Sequence, residues 1–394
     1  MSTGEEKKDD MRNIFALGFV SFFTDVSSEM VFSILPIFIL GLPGGNPAFL
    51  GLIEGVAQAL SYALRSVSGF WSDKFRRRKL IVLIGYGLSN VIKPFFAATT
   101  TAWQAFAIRV ADRVGKGIRS APRDALISES VSSKKRGSAF GLHKALDQSG
   151  AIVGPLLASG FMIYLGLRVR DIFWLSFIPG VIALLLIVFI VKETIPKAGG
   201  RFELLKGVRN TLTGNYNWLL LAVLIFSIGA FDFSFILLYA QGIGVMDPLI
   251  PVVYAVVNLA HTFIAIPAGK LSDRIGTEKV LFGGYLVFLG ASLLILMGPE
   301  GLIAAFAIAA VFGLYNGTVE TVQRAMVPKY AKTGLLGTAY GVYYLVVGVA
   351  FFVSNSVVGW LWNGYGSSIA MGYSAVTSVV AIAAMLLFLS RTKA

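Results

Sequence analysis

The sequence predicts an all-α membrane protein, with twelve transmembrane helices arranged in two pseudo-symmetric six-helix bundles. First, 56% of the 394 residues are hydrophobic and the mean hydropathy is +0.75, which is too apolar for a soluble globular protein. Second, apolar runs of about 20 residues recur along the chain, each long enough to cross a hydrocarbon core roughly 30 Å thick. Third, short segments of the second half repeat segments of the first half at a constant spacing.

The apolar runs define the twelve predicted helices. They lie near residues 13–40, 48–72, 79–98, 102–129, 136–164, 171–191, 216–240, 247–270, 279–298, 301–326, 336–362 and 368–390. Lys and Arg cluster in alternate connections, whereas the opposite connections hold little beyond Arg168 and Arg170. By the positive-inside rule, both termini are expected in the cytoplasm, which requires an even number of spans.

The longest connection separates the two predicted bundles. It divides the chain into an N-terminal cytoplasmic tail, a first bundle, a cytoplasmic linker, a second bundle and a C-terminal tail. These are predicted at 1–12, 13–191, 192–215, 216–390 and 391–394. The polar start MSTGEEKKDDMRN does not have the pattern of a removable signal peptide, so the first span is expected to direct insertion.

Composition argues against several classes of function. The net charge of +13 falls largely in loops on one side, which favours membrane topology over nucleic-acid binding. The chain has no cysteine, and its two histidines lie in distant spans without metal-ligand spacing. Neither a phosphate-binding loop nor a Ser/His/Asp arrangement is apparent, so no enzyme activity, cofactor or metal is expected.

The internal repeat has an offset of 200 residues. GFWSDKFRRRK at position 69 recurs as GKLSDRIGTEK at 269, and RGSAFG at 136 recurs as LGTAYG at 336. Gly117 and Ala125 also match Gly317 and Ala325 at this offset. Such a repeat indicates duplication, and parallel six-helix repeats are typical of transporters that rock two bundles about a central site.

Residues 13–390 resemble the major facilitator superfamily. Residues of both repeats are similar to its signature between the second and third helices: Gly69, Asp73, Arg77 and Arg78, then Gly269, Asp273 and Arg274. In the fifth helix, Gly150, Gly154 and Pro155 resemble its antiporter signature. The segments FFTDVSSEM and ADRVGKGIRSAPRDALI look like a prokaryotic branch whose members mostly have no known substrate. The resemblance implies a cavity lined by helices one, four, seven and ten, and a signature cluster that stabilises the outward-open state.

The fourth predicted helix has one charged face. At 100° per residue, one arc of about 80° contains five charged residues, with Arg113 beside them. They are Arg109, Asp112, Lys116, Arg119 and Arg123. A charge at the bilayer centre costs roughly 3 kcal/mol, so this face is predicted to line a hydrated passage, with the Val/Ala/Ile flank toward lipid.

Acidic residues on other helices complete the predicted site. They are Asp25 and Glu29 on helix one, Asp147 on helix five, Asp232 on helix seven, and Glu320 beside Arg324 on helix ten. These acids either form structural ion pairs, or at least one binds and releases a proton during transport. We predict the second, with Asp25 and Asp112 as leading candidates by depth. His143 fits either packing or a role in proton movement.

These features predict a secondary active transporter that exports a small molecule in exchange for protons. Uptake of a small organic anion by proton symport is one alternative, and a non-transporting membrane sensor is another. The expected partners are a small-molecule substrate, protons or another coupling ion, and membrane lipids. A monomer in the cell membrane is expected, with several passes through the bilayer.

Overall fold

The computed structural model describes residues 10–75, 77–132, 135–194, 211–212, 214–331 and 336–393, apart from the side chains of 66, 69–75, 336 and 391–393. Within these ranges the chain is built from α helices, numbered α1 to α15 in order. They are Met11–Phe32, Leu35–Leu40, Pro47–Phe75, Arg78–Ile92, Ala102–Ser130, Arg136–Tyr164, Val169–Leu175, Phe177–Phe189, Asn215–Gly229, Ser234–Gly242, Ile250–Ile275, Thr277–Leu296, Gly301–Tyr330, Leu336–Tyr365 and Ser367–Lys393. A 3₁₀ helix, Lys93–Ala98, follows α4, and another, Asp247–Leu249, precedes α11.

Ten stretches of the described chain are long and apolar enough to cross a membrane. Helices α5 and α6 are each 29 residues long, which suffices for a span, but they carry several ionisable side chains. The multi-pass helical architecture is therefore confirmed, while the count of twelve spans stays a prediction.

Several predicted helices are interrupted. The predicted helix 13–40 consists of α1 and α2. Pro36 lies in the first turn of α2, where its missing backbone N–H is tolerated, whereas inside a continuous helix it would remove a hydrogen bond. The predicted helix 216–240 consists of α9 and α10. Apolar periodicity identifies the span but not these breaks.

Helix boundaries follow the 200-residue offset seen in the sequence. Helices α3, α5 and α6 reappear as α11, α13 and α14, with starts and ends displaced by 199 to 203 residues. This agreement extends the repeat from short motifs to whole helices.

The described chain packs as two compact units. The first falls within 1–32, 64–99 and 107–202. In it, α1 packs against α6 and α8, and buried Leu17, Val20 and Tyr86 contribute to the apolar core. Glycine lets α6 approach α1 closely, because a Cβ at Gly154 would lie 2.7 Å from the carbonyl oxygen of Val26.

The second unit falls within 33–63, 100–106 and 203–394. Here α13 packs against α11 and α12, and α15 against α9 and α12. Its core is aromatic: Phe226 stacks on Tyr285 at 3.8 Å between ring centroids, and Phe288 packs against both Phe231 and Tyr315. The predicted linker 192–215 lies mostly outside the described residues.

Candidate functional site

The charged face of α5 lies in the interior of the first unit. Arg109 is fully buried, with its guanidinium carbon 3.8 Å above the ring of Phe32, and Asp112 is 2% exposed. The Asp112 carboxylate lies 3.8 Å from Arg109 Nη1 and 3.9 Å from Arg113 Nε. This acid therefore has a cation on each side, within a packed environment.

Helix α4 supports the next turn of this face. Ser89 Oγ donates to the backbone carbonyl of Asp112 at 3.0 Å and accepts from Arg119 Nη1 at 2.6 Å. The Arg119 guanidinium also lies 4.4 Å from the centre of the Tyr86 ring. Lys116 is half-buried, as is Arg123, which donates to Asp124 at 2.9 Å. Arg119 is therefore packed against protein, whereas Lys116 and Arg123 keep part of their surface exposed on the face predicted to line water.

The opposite flank of α5 is less covered than the charged face. Val110, Ala111, Val114 and Ile118 are all half-buried, whereas Arg109, Asp112, Arg113 and Arg119 are buried. The ionic side of the helix is therefore turned inward.

Lys93 is a buried cation between α1 and α4. Its ammonium donates to Ser28 Oγ at 2.6 Å and to Asn90 Oδ1 at 3.0 Å, and the side chain has no exposed surface. Asn90 in turn donates to Thr24 Oγ1 at 3.3 Å. This network attaches α4 to α1 next to the charged face.

Two carboxyl groups meet where α6 packs on α1. Asp25 on α1 and Asp147 on α6 face each other across this helix contact and interact electrostatically. Asp147 also accepts from Ser21 Oγ at 2.8 Å and from Lys144 Nζ at 3.0 Å. Two ionised carboxylates in such a contact repel each other, so a proton bound to one of them would stabilise the pair. Asp147 already accepts a hydrogen bond at each oxygen.

Other charges surround this acid pair. Asp25 and Glu29 interact electrostatically, and Lys116 on α5 interacts with both. The backbone of α6 reaches the pair through glycine, because a Cβ at Gly150 would lie 3.1 Å from that of Asp25. The residues that resemble the antiporter signature therefore lie at the contact that forms the acid pair.

The predicted acids of the second unit have different surroundings. Asp232 lies between α9 and α10, where its Oδ1 accepts from the backbone N–H of Ser234 at 3.0 Å and from its hydroxyl at 2.7 Å. The Asp232 N–H donates to Asn355 Oδ1 at 2.9 Å. This carboxylate therefore binds the first residue of α10 from the turn that precedes the helix.

Glu320 connects two basic residues. Its Oε1 accepts from Arg324 Nη2 at 2.6 Å, and its Oε2 lies 3.5 Å from His261 Nε2. Both Glu320 and Arg324 are about one-third exposed. This group lies in a different unit from the acid pair.

The predicted gate motif is described in part. In the first repeat, Arg77 is exposed, while buried Arg78 pairs with Glu129 at 3.1 Å. In the second repeat, Gly269 lies within α11, and Asp273 and Arg274 are exposed near its end. At Gly69 and Asp73 the structure describes only the backbone, which is helical.

Two supporting partners, Ser89 and Lys144, were not predicted from the sequence. A weak signal for one of them exists, since Ser89 and Asn90 stand together in an otherwise apolar helix shortly before Lys93. Among the described residues, no three His, Asp or Glu side chains are grouped so that they could hold a metal ion.

The apolar helices and the buried ionic groups are typical of helical membrane proteins that move small molecules. A family model described as the Major Facilitator Superfamily matches residues 17–354 and 218–394. The chain belongs to this superfamily, and it is a transporter and not an enzyme.

Individual relatives agree with this assignment. An uncharacterized MFS-type transporter of Methanocaldococcus jannaschii is 33% identical over 368 residues, covering 91% of this chain and 90% of the relative. The multidrug resistance protein MdtG of Proteus mirabilis is 25% identical over 308 residues, covering 75% and 74%. A solved POT family transporter in complex with 5-aminolevulinic acid has a TM-score of 0.80 at 13% identity, covering 98% of this chain and 97% of that one.

Proposed function

We propose that this transporter exports a small molecule in exchange for protons, with the Asp25–Asp147 pair as its proton carrier. The observation that carries the proposal is the meeting of two carboxyl groups on two different helices, because Gly150 of α6 packs against Asp25 of α1 and Ser21 of α1 donates to Asp147 of α6. Removing the proton of the pair leaves two negative charges side by side, and their repulsion is strong where water is scarce. Protonation can therefore change how α1 and α6 pack.

Lys116 can stabilise the deprotonated state of the carrier. It interacts electrostatically with Asp25 and Glu29 from α5. When Asp25 loses its proton, this ammonium is the cation available to pair with it. A proton carrier needs an environment for each protonation state, and the first unit contains both.

Two observations support export by antiport. The residues Gly150 and Gly154, which resemble the antiporter signature, lie where α6 contacts Asp25 and Glu29. One relative carries the name of a multidrug resistance protein.

The acid pair lies within one unit of one chain, which supports action as a monomer. The basic loops support a cell-membrane protein with both termini in the cytoplasm, and the covered charges of α5 support twelve spans.

Everted membrane vesicles test the proposal with ethidium as the probe. With an acidic lumen, we expect ethidium to accumulate in exchange for protons and to be released when nigericin collapses the pH gradient. Asp25→Asn and Asp147→Asn should each abolish this accumulation, since an amide cannot release the proton. The matched control is Asp171→Asn, because this carboxylate is exposed and pairs with Arg168. Accumulation in both pair variants at the wild-type level would contradict the assignment, as would the absence of gradient-driven ethidium flux in the wild type.

One observation favours proton symport of an organic anion as a second candidate. Lys116 interacts with Asp25 and Glu29, and also with Arg113 and Arg119. A proton on Asp25 would release Lys116 toward an anion, so proton and anion would bind together and move in the same direction. Vesicles preloaded with radiolabelled benzoate distinguish the two, because an acidic lumen should speed benzoate loss through a symporter.

A further inference from the structure

The helices α13 and α14 of the second repeat correspond to α5 and α6 of the first, but equivalent positions on them hold different types of side chain. In the second unit, Tyr343 of α14 donates its hydroxyl to Gln323 of α13 at 2.9 Å, and Gln323 donates to Tyr285 at 3.1 Å. Both Tyr343 and Gln323 are buried. This network is neutral and its hydrogen bonds are made, as expected of a structural contact.

The positions 200 residues earlier are His143 on α6 and Arg123 on α5. His143 is only 4% exposed, and its Nε2 has no hydrogen-bond partner among the described residues. Four charged groups interact electrostatically with the ring, Arg123 and Asp124 from α5 and Lys144 and Asp147 from α6. A buried ring nitrogen without a hydrogen-bond partner lowers the stability of the fold. Packing alone therefore does not explain why the first repeat has a histidine at this position.

His143 lies one helical turn from Asp147. Four residues of α helix rise roughly 6 Å, so the imidazole lies between the acid pair and the start of α6 at Arg136, the end that the basic loops predict to be cytoplasmic. His261 has a different environment, with Glu320 and Asn316 beside its ring nitrogens.

We propose that His143 relays protons between the Asp25–Asp147 pair and the cytoplasmic end of the first unit, an inference that rests on the proposed function. The carboxylic acid of the pair gives its proton, by way of one water molecule, to Nε2, which forms an imidazolium. The imidazolium then releases a proton to water at the end of α6 and returns to the neutral ring. No other reactant is needed, and the same steps run in reverse when the pair is reloaded. His143 is thus a transfer residue for protons.

The second repeat supplies the test variant. His143→Tyr combined with Arg123→Gln reproduces the neutral Tyr343–Gln323 contact in the first unit. Purified protein in nanodiscs is subjected to a rapid pH change, and infrared difference spectroscopy follows the carbonyl stretch of the protonated carboxylic acid. We expect a wild-type band that Asp25→Asn removes. The double variant should keep the amplitude of this band but form and lose it at least tenfold more slowly, within the range for losing a proton-transfer group.

A second variant covers the case in which the double variant does not fold. His143→Gln retains hydrogen-bonding capacity without carrying a proton, and added imidazole should restore part of the rate. Wild-type rates in both variants would overturn the relay while leaving the carrier intact. Absence of an Asp25-sensitive band in the wild type would instead overturn the proposed carrier. Loss of the band amplitude in His143→Gln would assign this histidine to the structure of the pair and reject the relay.

Discussion

At the residue scale, Asp25 and Asp112 are equal candidates by depth in the sequence, and their neighbours in the structure distinguish them. Asp112 lies between Arg109 and Arg113, at 3.8 and 3.9 Å, so its negative charge compensates buried cations. Asp25 instead faces a second acid, Asp147, with which it interacts electrostatically. The first arrangement favours a fixed charge, and the second favours the binding of a proton.

Asp112→Asn should therefore reduce stability rather than coupling. Removing one partner of a buried ion pair leaves uncompensated charge, which typically costs about 3–5 kcal/mol. We expect a marked fall in the thermal unfolding temperature in nanodiscs, whereas Asp25→Asn, which can still donate to Asp147, should unfold near the wild-type temperature. An Asp112→Asn protein that is as stable as the wild type but transports without a pH gradient would show that Asp112 carries the proton.

Part of this site is predictable from the sequence. The 100° periodicity predicts that the charged residues of α5 share a face turned away from lipid, and the burial of Arg109, Asp112 and Arg119 agrees with that orientation. Periodicity acts within one helix, so it could not identify partners on other helices. The ring of Phe32 beneath Arg109, and Ser89 between Asp112 and Arg119, follow from packing between helices distant in sequence.

At the element scale, contacts between residues that periodicity does not reveal also explain why helices are interrupted. Asp232 is one acid in an apolar run, a pattern that predicts a cavity residue. In the structure its carboxylate accepts two hydrogen bonds from Ser234 and so stabilises a new helix start. Hydropathy does not distinguish a charged residue that ends a helix from one that lines a cavity, because both interrupt the apolar run.

The contact between α1 and α6 depends on glycine, and this gives a prediction without any change of charge. Gly154→Leu places a side chain where even a Cβ would lie 2.7 Å from the Val26 carbonyl oxygen. The helices must separate, at a cost of roughly 1–3 kcal/mol for overpacking, and Asp147 should move away from Asp25. We expect gradient-driven ethidium accumulation to fall at least tenfold, and the Asp25-sensitive carboxylic acid band to disappear.

Gly160→Leu is the matched control, since Gly160 lies on the same helix and a Cβ there would have nothing within 4 Å among the described residues. It should retain both signals. If Gly154→Leu also retained the acid band at full amplitude, the dependence of the pair on this helix contact would be disproved.

At the scale of the whole molecule, the duplication preserved an ion pair while exchanging its charges. In the first unit, Arg78 at the start of α4 pairs with Glu129 near the end of α5 at 3.1 Å. In the second unit, Glu278 near the start of α12 pairs with Lys329 near the end of α13. Both partners are displaced by 200 residues. The position needs an ion pair, and either polarity satisfies it.

Exchanging the charges of the first pair tests this equivalence. Arg78→Glu places two acids together and Glu129→Lys places two cations together, so each single variant should lower the thermal unfolding temperature. The double variant reproduces the polarity of Glu278 and Lys329 and should recover at least half of the loss, with a coupling energy of about 1 kcal/mol or more. Thr194 limits full recovery, because its hydroxyl donates to Glu129 at 2.7 Å and a lysine cannot accept that bond. A double variant no more stable than the weaker single variant would mean that the first unit requires this polarity, and that the two repeats have diverged at their helix ends.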